Sequence, residues 1–252
     1  MAAYCGIQWL SDSTDCVGWR GGTVGRWLLI FEVLDLCPLM AGAKWGFGGS
    51  MNLSDIHPAI EKIRSSPKLT DARAITYLAT YPSILKFGKA LGTITANHFN
   101  QLVVMAYGWM PRIVRINQRH VPKAIAALTT AASAKVIEDL SVGQLRDIEC
   151  CVNSVVGASK VLHFVNDDVF PIWDSNVESF RLKRPASTYH MRSATNYFCY
   201  ADEVRGISRD PTFGVFFSDF TVCLQARLAA LHISGYAISQ VRAIEAAAFE
   251  LA

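Results

Sequence analysis

Residues 141–180 read SVGQLRDIECCVNSVVGASKVLHFVNDDVFPIWDSNVESF, and this stretch decides the fold. Ser141 with Gln144 three residues later forms a capping box, which predicts a helix running through QLRDIECCVNSV to about Val155 or Val156. Gly157 is suited to the positive φ that ends such a helix. Ala158 or Ser159 then starts a second short helix, SKVLHFV, broken at Asn166. Two helices joined by a tight glycine turn, at about residues 144–165, form a hairpin. The exposed backbone N–H groups of Gly157, Ala158 and Ser159 would sit at a helix start, where they suit a phosphate. After NDDVFPIW, Asp174 takes an N-cap position before SNVESFRL.

Outward from this stretch the periodicity stays helical. Ser54 is expected to cap a helix through LSDIHPAIEKI, with Asp55 in its first turn. Thr70 is expected to cap DARAITYLATY. TANHFNQLVVMAYGWM reads as a largely buried helix ended by Pro111. Val121-Pro122 starts the alanine-rich VPKAIAALTTAASAKVIEDL. The aromatic run TFGVFFSDFTV has the period of a strand, but SDFTVCLQARLAALHI continues at helical spacing. A last helix begins at Ser239. With no strand ladder, repeat or low-complexity linker, the expectation is an all-α protein.

The chain has 252 residues, enough for one medium domain or one built of two lobes. Half of them are apolar and only 18% charged, which excludes a disordered chain. Residues 1–50 stand apart: four of the six tryptophans lie there, with glycine clusters at Gly21-Gly22 and from Gly46 to Gly49. Three basic against four acidic residues give this segment −1, and 21 basic against 17 acidic give residues 51–252 +4. Two readings of the segment stand open: an N-terminal extension on a body at 51–252, or residues that precede the native start at Met51. So small a positive balance allows nucleic-acid binding only through a local patch.

The seven cysteines are odd in number and lack C-x-x-C spacing, so reduced thiols and a cytoplasmic location are expected, with no zinc or iron–sulfur site. The six histidines show no metal-ligand spacing, and no nucleotide or cofactor motif is present, so no metal or cofactor is expected. The apolar run at 27–43 contains Glu32, Asp35 and Pro38 and reads as a buried helix rather than a membrane span. A monomer is expected.

The hairpin and the segment after it resemble the helix-hairpin-helix DNA glycosylases, of the endonuclease-III-like and 8-oxoguanine-glycosylase-like kinds. There a hairpin of the type L-P-G-V-G-x-K precedes a D-[ST]-[HN]-[VI] segment. Here VVGASK, ending at Lys160, matches the first loosely, and DSNV, beginning at Asp174, matches the second well. Ala158 replaces the second hairpin glycine, the remaining glycine is shifted by one, and the interval from Lys160 to Asp174 is shorter. The resemblance implies a two-lobed helical bundle acting on double-stranded DNA that carries a damaged or modified base.

It also implies roles. Asp174 would stabilise the positive charge that builds on the sugar as the N-glycosidic bond breaks. Lys160, made neutral at a helix start, would attack C1′ and form a Schiff base that leads to strand cleavage. Base extrusion requires a pocket, for which His163, Phe164, Phe170, Trp173 and Trp109 are candidates. Arg181, Lys183 and Arg184 lie where a bound duplex would continue, and Arg112, Arg115, Arg119 and Lys123 form a second basic cluster. Structural alternatives remain beside each role: Asp174 as a plain helix cap, Lys160 as a surface charge or phosphate contact, VFPIW as a core plug. Two further functional classes stay open, a non-enzymatic DNA-binding protein that uses the hairpin alone and a helical protein-interaction module.

Overall fold

A computed structural model describes residues 50–109 and 113–252; the expectations placed on residues 1–49 and on Pro111 and Arg112 lie outside them. Among the described residues there are eleven α-helices, two 3₁₀ turns and no strands. They are α1 (Leu53–Ile56), α2 (Pro58–Ser65), α3 (Ala72–Lys89), α4 (Ala96–Gly108), α5 (Val121–Ser133), α6 (Val142–Val152), α7 (Val155–Val165), α8 (Ser175–Leu182), α9 (Ala194–Ser208), α10 (Phe213–Ala230) and α11 (Gln240–Leu251). The all-α expectation holds, and the ambiguous aromatic run is the front of α10.

Several boundaries move by a residue or two, for local reasons. Asn52, not Ser54, caps α1: its side chain accepts from the Asp55 N–H, and Asp55 returns a bond to the Asn52 N–H. Pro58 then opens a second helix, so one expected helix is two. Asp71, not Thr70, caps α3 by accepting from the Arg73 N–H. Ser141 and Gln144 do form the expected capping box of α6, and Ser239 caps α11.

The hairpin differs most. Helix α6 stops at Val152, and Asn153, at φ 55°, supplies the left-handed residue that Gly157 was expected to supply. Ser154 caps α7 by accepting from the Gly157 N–H at 3.0 Å. The two helices meet at 110°. Gly157 therefore lies within the first turn of α7, where its missing side chain serves a close contact. A Cβ there would come within 2.5 Å of the Tyr107 Oη of α4. At the other end of α7, a Cβ on Gly88 of α3 would fall 1.9 Å from the Phe164 carbonyl oxygen. Two glycines thus let α3 and α4 close directly onto α7.

In consequence α7 is the most enclosed of the described helices, with every residue from Gly157 to Val165 buried. A helix so largely apolar and enclosed belongs in a core, and the one lysine in it needs explaining. Helices α3 to α7 pack among themselves; α2, α8, α10 and α11 form a second set, α9 touching both α6–α7 and α11. Helix α10 is long and apolar enough to cross a membrane by composition, but Phe213, Phe216 and Phe220 face the core.

Candidate functional site

Lys160 sits on the second turn of α7, one turn deeper than a helix start. The helix dipole expected to act on it is therefore mostly spent, and burial takes its place. The side chain is 8% exposed, and burial pushes its amine below the ordinary lysine range against the opposing charges of Asp174 and Glu245. Its Nζ lies 5.8 Å from the Trp109 ring centroid and makes no hydrogen bond or ion pair among the described residues.

Asp174 is delivered by the segment 166–173, which is bonded almost residue by residue. Asn166 Nδ2 donates to the Ala131 and Ala134 carbonyls at the end of α5. His163 bonds the Phe170 carbonyl through Nδ1 at 2.8 Å, while its Nε2 meets the Tyr81 hydroxyl at 2.9 Å. That pattern assigns the proton to Nδ1 and makes Tyr81 the donor to Nε2. Tyr197 and Tyr200 of α9 donate to the Pro171 and Ile172 carbonyls, both at 3.2 Å. The Ser159 hydroxyl accepts from the Trp173 N–H at 3.1 Å. The segment that looked like a core plug is one, and its rigidity fixes the residue that follows.

At its end Asp174 caps α8. Oδ1 accepts from the N–H groups of Asn176 and Val177 at 2.9 and 3.0 Å, and Oδ2 has no hydrogen bond among the described residues. Beneath the cap, the Trp173 indole donates to Glu178 Oε2 at 2.9 Å. Glu178 also binds Arg181 through both oxygens and His190 through Oε1. Burial pushes its carboxyl upward, but the Arg181 hydrogen bonds and charge outweigh that and leave it below the ordinary range.

The site includes residues that sequence reasoning missed. From α11, Arg242 places its guanidinium 4.6 Å from the Tyr81 ring and 5.7 Å from the Trp109 ring, and pairs with Glu245 Oε1. Glu245 is 3% exposed, and its Oε2 has no partner among the described residues. Burial raises the Glu245 carboxyl, while the Arg242 guanidinium, unable to deprotonate, remains the cation of the pair. The sequence shows only a helical i, i+3 pair here; that Arg242 faces the same Trp109 indole as Lys160 follows from packing between helices far apart in the chain.

Several expected contacts do not fit this geometry. Gly157, Ala158 and Ser159 are buried, the Gly157 N–H is taken by Ser154 and the Ser159 hydroxyl by Val156 and Trp173, so none presents itself to a phosphate. Arg181 is 6% exposed and held between Glu178 and Glu203, which removes it from the surface cluster. Lys183 and Arg184 are exposed, Lys183 at 3.2 Å from Asp55. His163, Phe164, Phe170 and Trp173 have no exposed surface, so they are core residues here and not walls of an open pocket. Trp109, whose ring Lys160 faces, is buried as well. Cys151 is buried and Cys150 exposed, so only one of the adjacent cysteines packs inside. Two surface hollows, about 620 Å³ beside His57 and about 480 Å³ beside Phe87, lie on other residues. No group of metal-ligating side chains occurs among the described residues.

Exposed basic residues lie on two connections of the fold. Tyr189, Arg184 and Arg192 are exposed on the α8–α9 connection. That connection is anchored by His190, whose ring lies 6.1 Å from the Trp173 ring. Arg115 and Arg119 are exposed on the connection into α5, which is tied to the end of α6 by the Asn117 N–H bond to the Cys151 carbonyl at 2.8 Å. No family model, curated protein or solved structure matches the chain.

Proposed function

We propose that the chain is a divergent helix-hairpin-helix DNA glycosylase that removes a damaged or modified base, with Lys160 as nucleophile and Asp174 at the sugar, in DNA repair or in defence against modified foreign DNA. The observation that carries the reading is Lys160 itself. A lysine on an enclosed helix whose other buried polar side chains, Ser159 and His163, are hydrogen-bonded, itself without a hydrogen bond and within the field of an aspartate that keeps one oxygen free, is costly to stability and suited to attack. The α6–turn–α7 angle, the two sets of helices and the exposed arginines beside the turn support the same reading.

In the reaction, the Lys160 lone pair forms a bond to C1′ as the bond from C1′ to the base breaks, and the departing base takes the electron pair and a proton. Asp174 Oδ2 offsets the positive charge on the sugar. Ring opening leaves an imine between Lys160 and C1′, and elimination then breaks the 3′ C–O bond. If water attacks instead, Asp174 accepts its proton and no imine forms.

The test uses duplexes carrying a panel of modified bases, with alkali to reveal abasic sites and borohydride to trap an imine. Base release should fall about 10²-fold or more in Asp174→Asn with DNA binding retained, and the trapped adduct should vanish in Lys160→Met. Binding without base release across the panel would leave the second reading, a DNA-binding protein that does no chemistry. That reading is favoured by one observation: His163, Phe164 and Trp173 are closed in, so a base reaches Lys160 only after the surrounding side chains move.

A further inference from the structure

Among the described residues Glu245 Oε2 is a fully buried acceptor with no donor, and Lys160 Nζ, on a side chain that keeps a trace of exposure, makes no hydrogen bond. Buried polar atoms are nearly always bonded, so the orphaned carboxylate oxygen calls for a functional account. We propose that Glu245 is the proton acceptor for Lys160: it takes the proton that the ammonium gives up before attack on C1′ and returns it to the departing base. The proposal rests on the reading of Lys160 as the nucleophile.

The geometry comes from α11. Arg242 binds Glu245 through Oε1 and lies against the same Trp109 indole as Lys160, with Cζ at 5.7 Å and Nζ at 5.8 Å from its centroid. The arginine thus ties the carboxylate to the indole that Lys160 also faces while leaving Oε2 free; lysine and carboxylate are not in ion-pair contact, so the transfer requires them to approach. Replacing a buried Arg–Glu pair by apolar residues is commonly neutral or stabilising, so its presence points to use rather than to stability.

The proton balance closes. Ammonium and carboxylate become amine and carboxylic acid; the amine bonds to C1′, and the acid protonates the base nitrogen that leaves. Burial favours the exchange from both sides, lowering the lysine and raising the glutamate. The other groups facing Lys160 do not replace Glu245. Asp174 commits Oδ1 to the α8 cap and is assigned to the sugar, and His163 is held neutral by burial with both nitrogens bonded. Tyr81, Tyr197 and Tyr200 are kept protonated by burial, and Arg242 has no site to accept a proton.

Glu245→Gln separates this role from a purely electrostatic one. Removing the carboxylate's charge makes Lys160 easier to deprotonate, so its titration, followed by NMR of lysine labelled at Cε and Nζ in the full chain, should move to lower pH by about one unit. A charge effect alone would then leave base release as fast or faster. The proton-acceptor role requires the opposite, a single-turnover base release about 10²-fold slower near neutral pH. Glu245→Asp should restore part of the rate, and it serves as the second variant if Gln does not fold. An unmoved Lys160 titration in a folded variant, or base release at the wild-type rate, overturns the proposal. A moved titration with no base release by the wild-type chain from any substrate sinks the glycosylase reading alone and leaves the Lys160–Glu245 pairing standing.

Discussion

At the scale of the residue, the contest is between burial and charge at Lys160. Burial holds its titration below the unfolded value near 10.5, despite Asp174 and Glu245. Between the folded and unfolded values the unfolded chain binds more protons, so stability rises with pH across that window, and below it the whole penalty is present. Lys160→Met keeps the length and contacts of the side chain and removes the charge. It should be more stable than the wild type by about 1 kcal/mol or more near neutral pH. The difference should shrink as pH approaches 10.5, measured by denaturant unfolding at a series of pH values. A Met variant that is less stable at every pH would mean that Lys160 is a structural cation. The sequence marked Lys160 and Asp174 through their place in a motif-like segment. It did not mark Glu245 or Arg242, because an i, i+3 ion pair on a terminal-looking helix has the same spacing whether it faces water or a site.

At the scale of the element, three of the five expected side-chain caps were legible, two fell a residue or two away, and the hairpin turn was misplaced. Ser141–Gln144, Asp174 and Ser239 are caps whose partners lie within three residues, so their chemistry is written locally. The hairpin was misplaced because Gly157 is the obvious turn residue, whereas Asn153 also tolerates the left-handed region and lies where α6 ends. The glycine was needed for the approach of α4, a tertiary reason invisible along the chain. Gly157→Ala tests this. The new Cβ meets Tyr107 Oη at 2.5 Å, and that hydroxyl donates to the Val152 carbonyl at 2.6 Å, so relief of the clash breaks a bond at the end of α6. A gain of about 1 kcal/mol in helix propensity offsets part of the loss. We expect a net destabilisation of about 1–3 kcal/mol, read as a lower denaturation midpoint. If Gly157 instead served a phosphate, the variant would keep its stability and lose DNA affinity.

At the scale of the whole molecule, the all-α class followed from helical periodicity that a predominantly apolar composition can sustain. The assembly of the site did not, because α3, the end of α4, α7, α9 and α11 each contribute one to three side chains to it. A net charge of only +3 leaves binding to local surface, and the described surface offers two exposed groups. Arg115 and Arg119 adjoin the α6–α7 turn, and Arg184 and Arg192 lie on the α8–α9 connection with Tyr189, 88% exposed, between them. If a duplex lies across Asp174, both groups meet phosphate, and each phosphate contact releases counterions as the complex forms. Paired replacement of either group by Gln should therefore weaken binding of unmodified duplex and make the plot of log affinity against log salt shallower by about one to two units. Replacing Arg181 should not change the slope, since it is buried between Glu178 and Glu203, although it should lower stability. Equal slopes for the wild type and both surface variants would place the duplex elsewhere, and the reading of Asp174 at the sugar would fail with it.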